Sequence, residues 1–358
     1  MEKNFDFLKL KTTSFLKKNS QTIIFKADFS TVSFDDPNDK ILKIAKHLNG
    51  LYSFEELYSN IKIEIDNMSK GELVDIITNI FFQEDLVFNS NNFSNLSYYE
   101  INKFSRILNY FSSYKDCDQT VAQLFLKRLM SSHVLILGMG GTGSHLAHSL
   151  AASGIGELSI VDFDFIELSN VTRQMLYTES DIGLYKVDVA YEKLKKINPT
   201  LKINKFYKKI SSEEDLKEIF QTLKNISIVV ISMDTPRGEI RYIVDNFLYN
   251  LNLPYIYCGS TMSKVSCGPM IKKEKTKSYS KLVPINNSLT SLVKDTLNSV
   301  FLSSVIEPLN GITGQLTAYE IIKYLTNHSS VQVFSKIISL ELDNMDLKIT
   351  NLEELDLK

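Results

Sequence analysis

The sequence predicts an α/β protein: a doubly wound, mostly parallel sheet of the nucleotide-binding kind, preceded by a winged-helix-like α+β domain. Three observations carry the prediction. A glycine turn, Gly138-Met139-Gly140-Gly141-Thr142-Gly143, separates the apolar β-type run His133–Leu137 from the helix-forming run Ser144–Ala152. Strands and helices then alternate through Leu158–Val161, Lys202–Phe206, Ser212–Leu223 and Ile228–Ser232, as they do in layered parallel sheets. Ahead of these, residues 1–90 hold short β-type runs, three helical segments and a closing strand.

The 358 residues leave room for two domains, and 44% hydrophobic with 23% charged content is that of an ordinary soluble globular chain. A net charge of −2 offers nucleic acid no attracting field. No apolar run reaches membrane-spanning length, and the opening MEKNFDFLKLK lacks the hydrophobic core of a signal peptide. The expectation is a cytoplasmic protein with neither a nucleic-acid nor a membrane partner. Three cysteines, Cys117, Cys258 and Cys267, with no CxxC, fit a reducing compartment and cannot make a four-cysteine zinc site.

In the first domain, taken as residues 1–90, Phe5–Leu10, Thr22–Ala27 and Thr31–Phe34 are β-type, and Asp36-Pro37-Asn38 breaks the chain. Ile41, Leu42, Ile44, Ala45 and Leu48 share a helix face that Gly50 ends. Ser53 with Glu56 and Ser69 with Glu72 are capping boxes opening two more helices, and Leu86–Phe88 is a last strand. This is the order of a winged helix. Its charges oppose DNA binding: 11 Lys and no Arg stand against 14 Asp plus Glu in residues 1–90, and the third helix is acidic. The pattern ILKIAKHLNGLYSFEEL, a helix and FFQEDLV resembles the PqqD-like domains that seize leader peptides of ribosomally made natural products. That resemblance implies a peptide added as a strand to the sheet edge; a structural or dimerising role is the alternative. Asn89–Ser97 is polar and turn-rich, so 91–101 is taken as a linker and 102–358 as the second domain.

In the second domain the glycines have separate jobs. Gly138 permits the tight turn, Gly140 lets the backbone approach a phosphate or ribose, and Gly143 lets the helix lie close to the sheet. The helix start is an anion site, and Asp162 falls about 20 residues on, where ribose recognition belongs. Asp164 follows, then Asn170, Arg173 and Gln174, and past Asp181-Ile182-Gly183 comes Lys186 at the head of a helix. Hydride chemistry has no use for this cluster. An Asn, an Arg and a Lys beside a nucleotide turn suit a triphosphate and the charge that grows during attack at phosphorus. Asp234, at the carboxyl end of the Ile228–Ser232 strand, stands where a Mg²⁺ ligand belongs.

Taken together, GMGGTG, the acidic pair in VDFDFIELSN, NVTRQ, GLYK and the strand-end SMD resemble the ubiquitin-activating-enzyme-like adenylating family, which includes the ThiF and MoeB proteins, from Asn102 to Leu325. The resemblance implies ATP and Mg²⁺ as cofactors, with Gly138, Gly140, Gly141, Gly143, Asp164 and Gln174 around the nucleotide. It puts Asp162 on the ribose, Asn170, Arg173 and Lys186 on the phosphates and Asp234 on the metal. It also implies a homodimer in which Arg106, the single arginine of the arm INKFSRILNYFSSYK, reaches the partner subunit's ATP. Within the family, the layout with a small domain in front is most similar to the microcin C peptide-adenylating enzymes.

Other features are open or ordinary. Arg237 and Arg241 bind a substrate carboxylate or are plain surface, while His145 and His148 belong to helix surface or packing. Cys258 and Cys267 fall in the β-type runs Tyr255–Ser260 and Lys264–Ile271, which makes them core. The basic run 272–287 is a solvated loop or a substrate lid, and it holds no cysteine for a thioester relay. Within Pro308–Leu325 a Gly-marked turn precedes an amphipathic helix, and Ile337–Leu342 with Leu347–Leu352 make a closing hairpin. The expected function is ATP-dependent adenylation of a carboxylate, the C-terminus of a short precursor peptide, with release of pyrophosphate. Adenylation of a ubiquitin-like sulfur carrier is one alternative; a leader-binding partner of a separate heterocyclase is another. A dehydrogenase using NAD leaves Asn170, Arg173, Lys186 and Asp234 without work.

Overall fold

The computed structural model describes residues 4–11, 14–18, 21–27, 30–89, 96–114, 117–284 and 304–354. The chain divides into two compact units, Met1–Lys127 and Arg128–Lys358.

The first unit runs β1 (Leu8–Leu10), β2 (Ser14–Lys18), β3 (Thr22–Ala27), β4 (Ser30–Asp35), α1 (Lys40–His47), α2 (Phe54–Glu64), α3 (Lys70–Ile76) and β5 (Val87–Asn89). Strands β2, β3 and β4 form an antiparallel sheet in that order, and β1 pairs antiparallel with β5. The sequence reading passed over β2, because its strand character comes from pairing along β3, Phe15 opposite Phe25 and Leu16 opposite Ile24, and not from local alternation. Asp36, read as part of a break, is a cap: its buried carboxylate accepts the Ile41 and Leu42 amides at 2.9 Å each. The Ser53–Glu56 box forms in full at α2. At α3, Ser69 accepts the Glu72 amide while the Glu72 carboxylate pairs with Lys40. Ile23, Phe25, Ile44, Leu57, Ile61, Leu73, Ile77 and Phe81 are buried between sheet and helices.

Next come α4 (Tyr98–Lys103), α5 (Ser105–Ser112) and α6 (Gln119–Met130). A Ser97–Glu100 capping box opens α4. The division between units falls inside α6, so α4 and α5 group with the first unit, whereas the sequence reading placed residues from 102 onward in the second. Residues 91–95 of the expected linker lie outside the described residues.

The second unit continues with β6 (His133–Leu137), α7 (Gly141–Ala152), β7 (Glu157–Val161), α8 (Lys186–Ile197), β8 (Lys202–Phe206), α9 (Glu213–Phe220), β9 (Ile228–Ile231) and α10 (Ile240–Asn250). It closes with β10 (Tyr255–Thr261), β11 (Lys264–Ile271), α11 (Tyr279–Leu282), α12 (Glu307–Thr326), β12 (Lys336–Glu341) and β13 (Asp346–Asn351). All eight strands form one sheet in the order β13-β12-β11-β10-β9-β6-β7-β8. The run from β8 to β10 is parallel, and β11, β12 and β13 extend it antiparallel.

Alternation along the central strands sorts the core into two layers. Val134, Ile136, Leu158, Ile160, Ile228 and Val230 pack with α7, α8 and α12; Leu135, Leu137, Val161, Val229 and Ile231 pack with α9, α10 and α11. This is the doubly wound sheet the sequence predicts. Strand order reverses at β6, with β7 on one side and β9 on the other, and such a switch point opens a crevice at the carboxyl ends of the strands.

One expectation is corrected at α12. Gly311 and Gly314, read as part of a turn before the helix, lie inside it, and the helix opens at Glu307 with Pro308 in its first turn. A Cβ on Gly314 would stand 2.7 Å from that of His145, so the glycine is what lets α12 lie against α7. His145 is accordingly packing, as expected, and its burial holds it below the ordinary histidine range despite Glu307 at 3.2 Å. Cys258 and Cys267 face each other across β10 and β11, both buried, with burial pushing the Cys258 thiol up to about 12. Among the described residues no helix is long and apolar enough to cross a membrane.

Candidate active site

At the switch point a cleft of about 260 Å³ is lined by Gly138, Gly140, Asp162, Phe163, Asp164, Lys186, Lys208, Lys209, Ser232, Met233, Asp234 and Thr235, among others. Six residues chosen from the sequence therefore meet in one place. Gly138 has φ 98°, and a Cβ there would stand 3.0 Å from the Met233 nitrogen, so its turn and its neighbour both demand glycine. Gly143 is tighter still: its Cβ would fall 2.0 Å from the Gly138 carbonyl oxygen and 2.8 Å from Ser232 Oγ. Gly140 differs. The nearest protein atom to a Cβ there is Gln174 Nε2 at 3.9 Å, so packing does not exclude a side chain at this N-cap of α7, which points to close approach by a ligand.

Asp162 is buried at the carboxyl end of β7. Its Oδ2 accepts the Met139 amide at 2.7 Å and its Oδ1 the Asp164 amide at 2.9 Å, so it fixes the turn as well as facing the cleft. Burial raises its pKa above the usual carboxylate range, and Lys186 opposes the rise. Lys186 opens α8 with its ammonium buried and paired with Asp164 at 2.8 Å. Asp234 follows β9 on an exposed connection, where its Oδ2 accepts from Arg237 Nη2 at 2.8 Å.

The loop after β7 supplies the rest. Asn170 is buried and committed to its own turn, its Oδ1 accepting the Glu167 amide at 3.2 Å. Arg173 folds back, Nη1 donating to the Ser169 carbonyl at 2.6 Å. Gln174 is buried with its Oε1 left without a hydrogen-bond partner, the one orphaned acceptor beside Gly140 among the described residues. Arg106 lies in the first unit, exposed on α5.

Two features escaped the sequence reading. Lys208 and Lys209 reach the cleft just beyond β8, and the strand-end logic that picked out Asp234 would have found them; Lys209 stands 5.5 Å over the Phe163 ring. Asn310 of α12 is wedged against the helix start. Gly141 carries no Cβ because one would fall 2.3 Å from Asn310 Nδ2, which also donates to the Arg173 carbonyl, while Asn310 Oδ1 accepts from Thr142 and Ser260. Gly141 thus serves packing, and no local pattern announces a contact 169 residues away in sequence.

These residues fit a nucleoside triphosphate: an uncrowded helix start and buried Lys186 offer donors for an anion, while the Asp162 carboxylate and the orphaned Gln174 Oε1 are acceptors for hydroxyl or amino donors of the same ligand. Among the described residues no group of three His, Cys, Asp or Glu side chains is placed to hold a metal. Mg²⁺ needs no such cage, since it is commonly held by one or two carboxylates with the substrate's phosphates and water, and exposed Asp234 suits that role.

The model of the ThiF family matches residues 115–356. A molybdopterin-synthase adenylyltransferase of Haemophilus influenzae is 32% identical over 200 residues, covering 55% of this chain and 76% of that protein. A probable molybdopterin-synthase adenylyltransferase of Porphyra purpurea is 33% identical over 208 residues, 57% of this chain, which spans about half (51%) of that relative's length. Among solved structures, E. coli MccB with ATP has a TM-score of 0.75 at 23% identity over 96% of each chain. MccB in complex with N-formylated MccA gives 0.76 at 24% identity over 96% of each, and PaaA gives 0.75 at 20% over 95% of this chain and 98% of that one. Those structures share the fold across nearly the whole chain, whereas the sequence relatives cover little more than half of it. Since the family model takes in most of the chain and every residue lining the cleft, the chain belongs to the ThiF family.

Proposed function

We propose that the protein uses ATP to adenylate the carboxylate of a ribosomally made precursor peptide, releasing pyrophosphate. The observation that carries this reading is the cleft at the β6 switch point, where an uncrowded helix start, buried Asp162 and Lys186 and exposed Asp234 converge. The choice of a peptide as substrate is supported by the likeness to MccB over the front unit as well as the second, since MccB has been solved with ATP and with its peptide MccA. The front unit also offers β2 and β4, the two outer strands of its sheet, as edges for an added peptide strand. Adenylation of a sulfur carrier is the second reading, favoured by the molybdopterin-synthase adenylyltransferases among the relatives.

The nucleophile is a carboxylate, already an anion at neutral pH, so no general base is required. What the site must do is bring two anions together and screen them. In this mechanism the amides at the start of α7 hold phosphate oxygens, Asp162 orients the ribose, and Lys186, steadied by Asp164, neutralises charge at the phosphorus. Asp234 would hold Mg²⁺, which supplies Lewis-acid stabilisation of the departing pyrophosphate. The carboxylate oxygen bonds to the α-phosphorus as the bond to pyrophosphate breaks.

Exchange of labelled pyrophosphate into ATP tests the reading. It should require a peptide substrate and vanish in Asp234→Asn while circular dichroism stays unchanged; exchange driven by a sulfur carrier and by no peptide selects the second reading. We assign Arg106 to the partner subunit's site of a homodimer. Arg106→Ala and Lys186→Ala should each be inactive, and mixed under verified subunit exchange they should recover activity, because one site of a mixed dimer then carries neither defect. Absence of recovery places Arg106 in its own subunit's site.

A further inference from the structure

The carboxyl edge of the sheet carries another cation beyond the cleft. Arg237 and Arg241 fall four residues apart, which read as one helical turn in the sequence, but only Arg241 is on a helix: Arg237 lies in the turn before α10, and the structure separates their roles. Arg237 is engaged with Asp234 at 2.8 Å. Arg241, in the first turn of α10, pairs with no carboxylate among the described residues: its guanidinium lies 5.7 Å over the Tyr257 ring, and Nη1 donates to Tyr279 Oη at 3.4 Å.

This aromatic seat is held from behind. Asp245, fully buried, accepts the Tyr279 and Ser280 amides at 2.6 and 3.0 Å and the Tyr255 hydroxyl. Tyr257 in turn donates its hydroxyl to the Arg241 carbonyl at 2.7 Å. The seat also lies at the carboxyl end of the sheet, the end that carries the glycine turn. A Cβ on Gly259 would stand 3.9 Å from Arg241 Nη2, and Gly259 sits two residues past Tyr257, which pairs with Ile231 at the end of β9. The next residue, Ser260, bonds to Asn310, which abuts Gly141 in the first turn of α7. Arg241 thus faces the edge that carries the glycine turn, one strand beyond β9.

A guanidinium fixed on aromatic rings is suited to a planar oxyanion, which it grips by two parallel hydrogen bonds. We propose that Arg241, seated on Tyr257 and Tyr279, binds the substrate's carboxylate and aims it at the α-phosphorus. The proposal rests on the adenylation reading above. Arg241 stays protonated throughout: the carboxylate oxygen supplies the electron pair of the new P–O bond, and the pair of the broken bond leaves with pyrophosphate.

The test uses the full-length protein and two probes, the synthetic MccA peptide and a ubiquitin-like sulfur-carrier protein, each as free acid and as C-terminal amide. Whichever probe drives pyrophosphate exchange in the wild type is carried forward to calorimetry in the presence of a non-hydrolysable ATP analogue. The wild type should prefer acid over amide by about 10- to 100-fold. Arg241→Gln should erase that preference while leaving affinity for the amide and for the ATP analogue unchanged, and Arg241→Lys should keep part of it. A preference that survives Arg241→Gln overturns the proposal, as does a wild type that binds acid and amide equally. Exchange with neither probe overturns the adenylation reading, and this proposal with it.

Discussion

The two walls of the cleft are set by different means. On the β6–β7 side everything is interlocked: Asp162 carries the Met139 and Asp164 amides, the Tyr177 hydroxyl donates to the Met139 carbonyl at 2.8 Å, and Gly143 abuts Gly138. On the β9 side Asp234 and Arg237 stand on a connection, with the Asp234 side chain 71% exposed. The buried wall is interlocked by its own hydrogen bonds and packing, which suits a nucleotide that is the same at the start of every turnover. The exposed wall has charges that other groups can still complete, which suits a metal and a substrate.

The largest test of this contrast is a pair of cation replacements. Lys186→Met should lower pyrophosphate exchange about 10³-fold, since a buried charge aimed at phosphorus is lost. Arg237→Ala should change it less than about threefold, since an exposed ion pair contributes little. Equal losses would mean the walls are not different in kind.

Next come the glycines. Gly143→Ala forces a methyl against the Gly138 carbonyl and should destabilise the second unit by about 3 kcal/mol in urea unfolding. Gly140→Ala meets no close protein atom, so stability should stay within about 0.5 kcal/mol of wild type. Its affinity for an ATP analogue should nevertheless fall at least about tenfold, because the methyl occupies the phosphate's approach. Full ATP affinity in Gly140→Ala would remove the helix start from the site.

The smallest effect is electrostatic. The Asp162 pKa is raised in the folded protein, so its favourable contribution to stability is complete below the ordinary 3.8 and is lost as pH rises through the folded value. Lys186 pulls that value down; in Lys186→Met it should rise further, and the stability gap to wild type should widen as pH climbs through this window. Carbon-detected NMR titration of the carboxyl reads the shift directly, and a fall in the Asp162 pKa would contradict the pairing.

Much of this protein could be read without coordinates, because the information is local. Short continuous apolar runs marked β6, β7 and β9, glycine spacing marked the turn, and a strand-end acid marked Asp234, each resting on sterics or composition within a few residues. The same locality gave the Ser53–Glu56 box. Other facts depend on pairs far apart in the chain, and these only the tertiary structure decided. Strand β2 owes its state to β3; Gly141 is glycine because of Asn310, and Gly314 because of His145. Arg237 and Arg241 carry the same charge four residues apart, yet one is bound to Asp234 and the other is seated on tyrosines brought from β10 and α11. A guanidinium's role is fixed by what stands within a few ångströms of it, and for Arg241 those neighbours come from strands and helices that sequence spacing does not align.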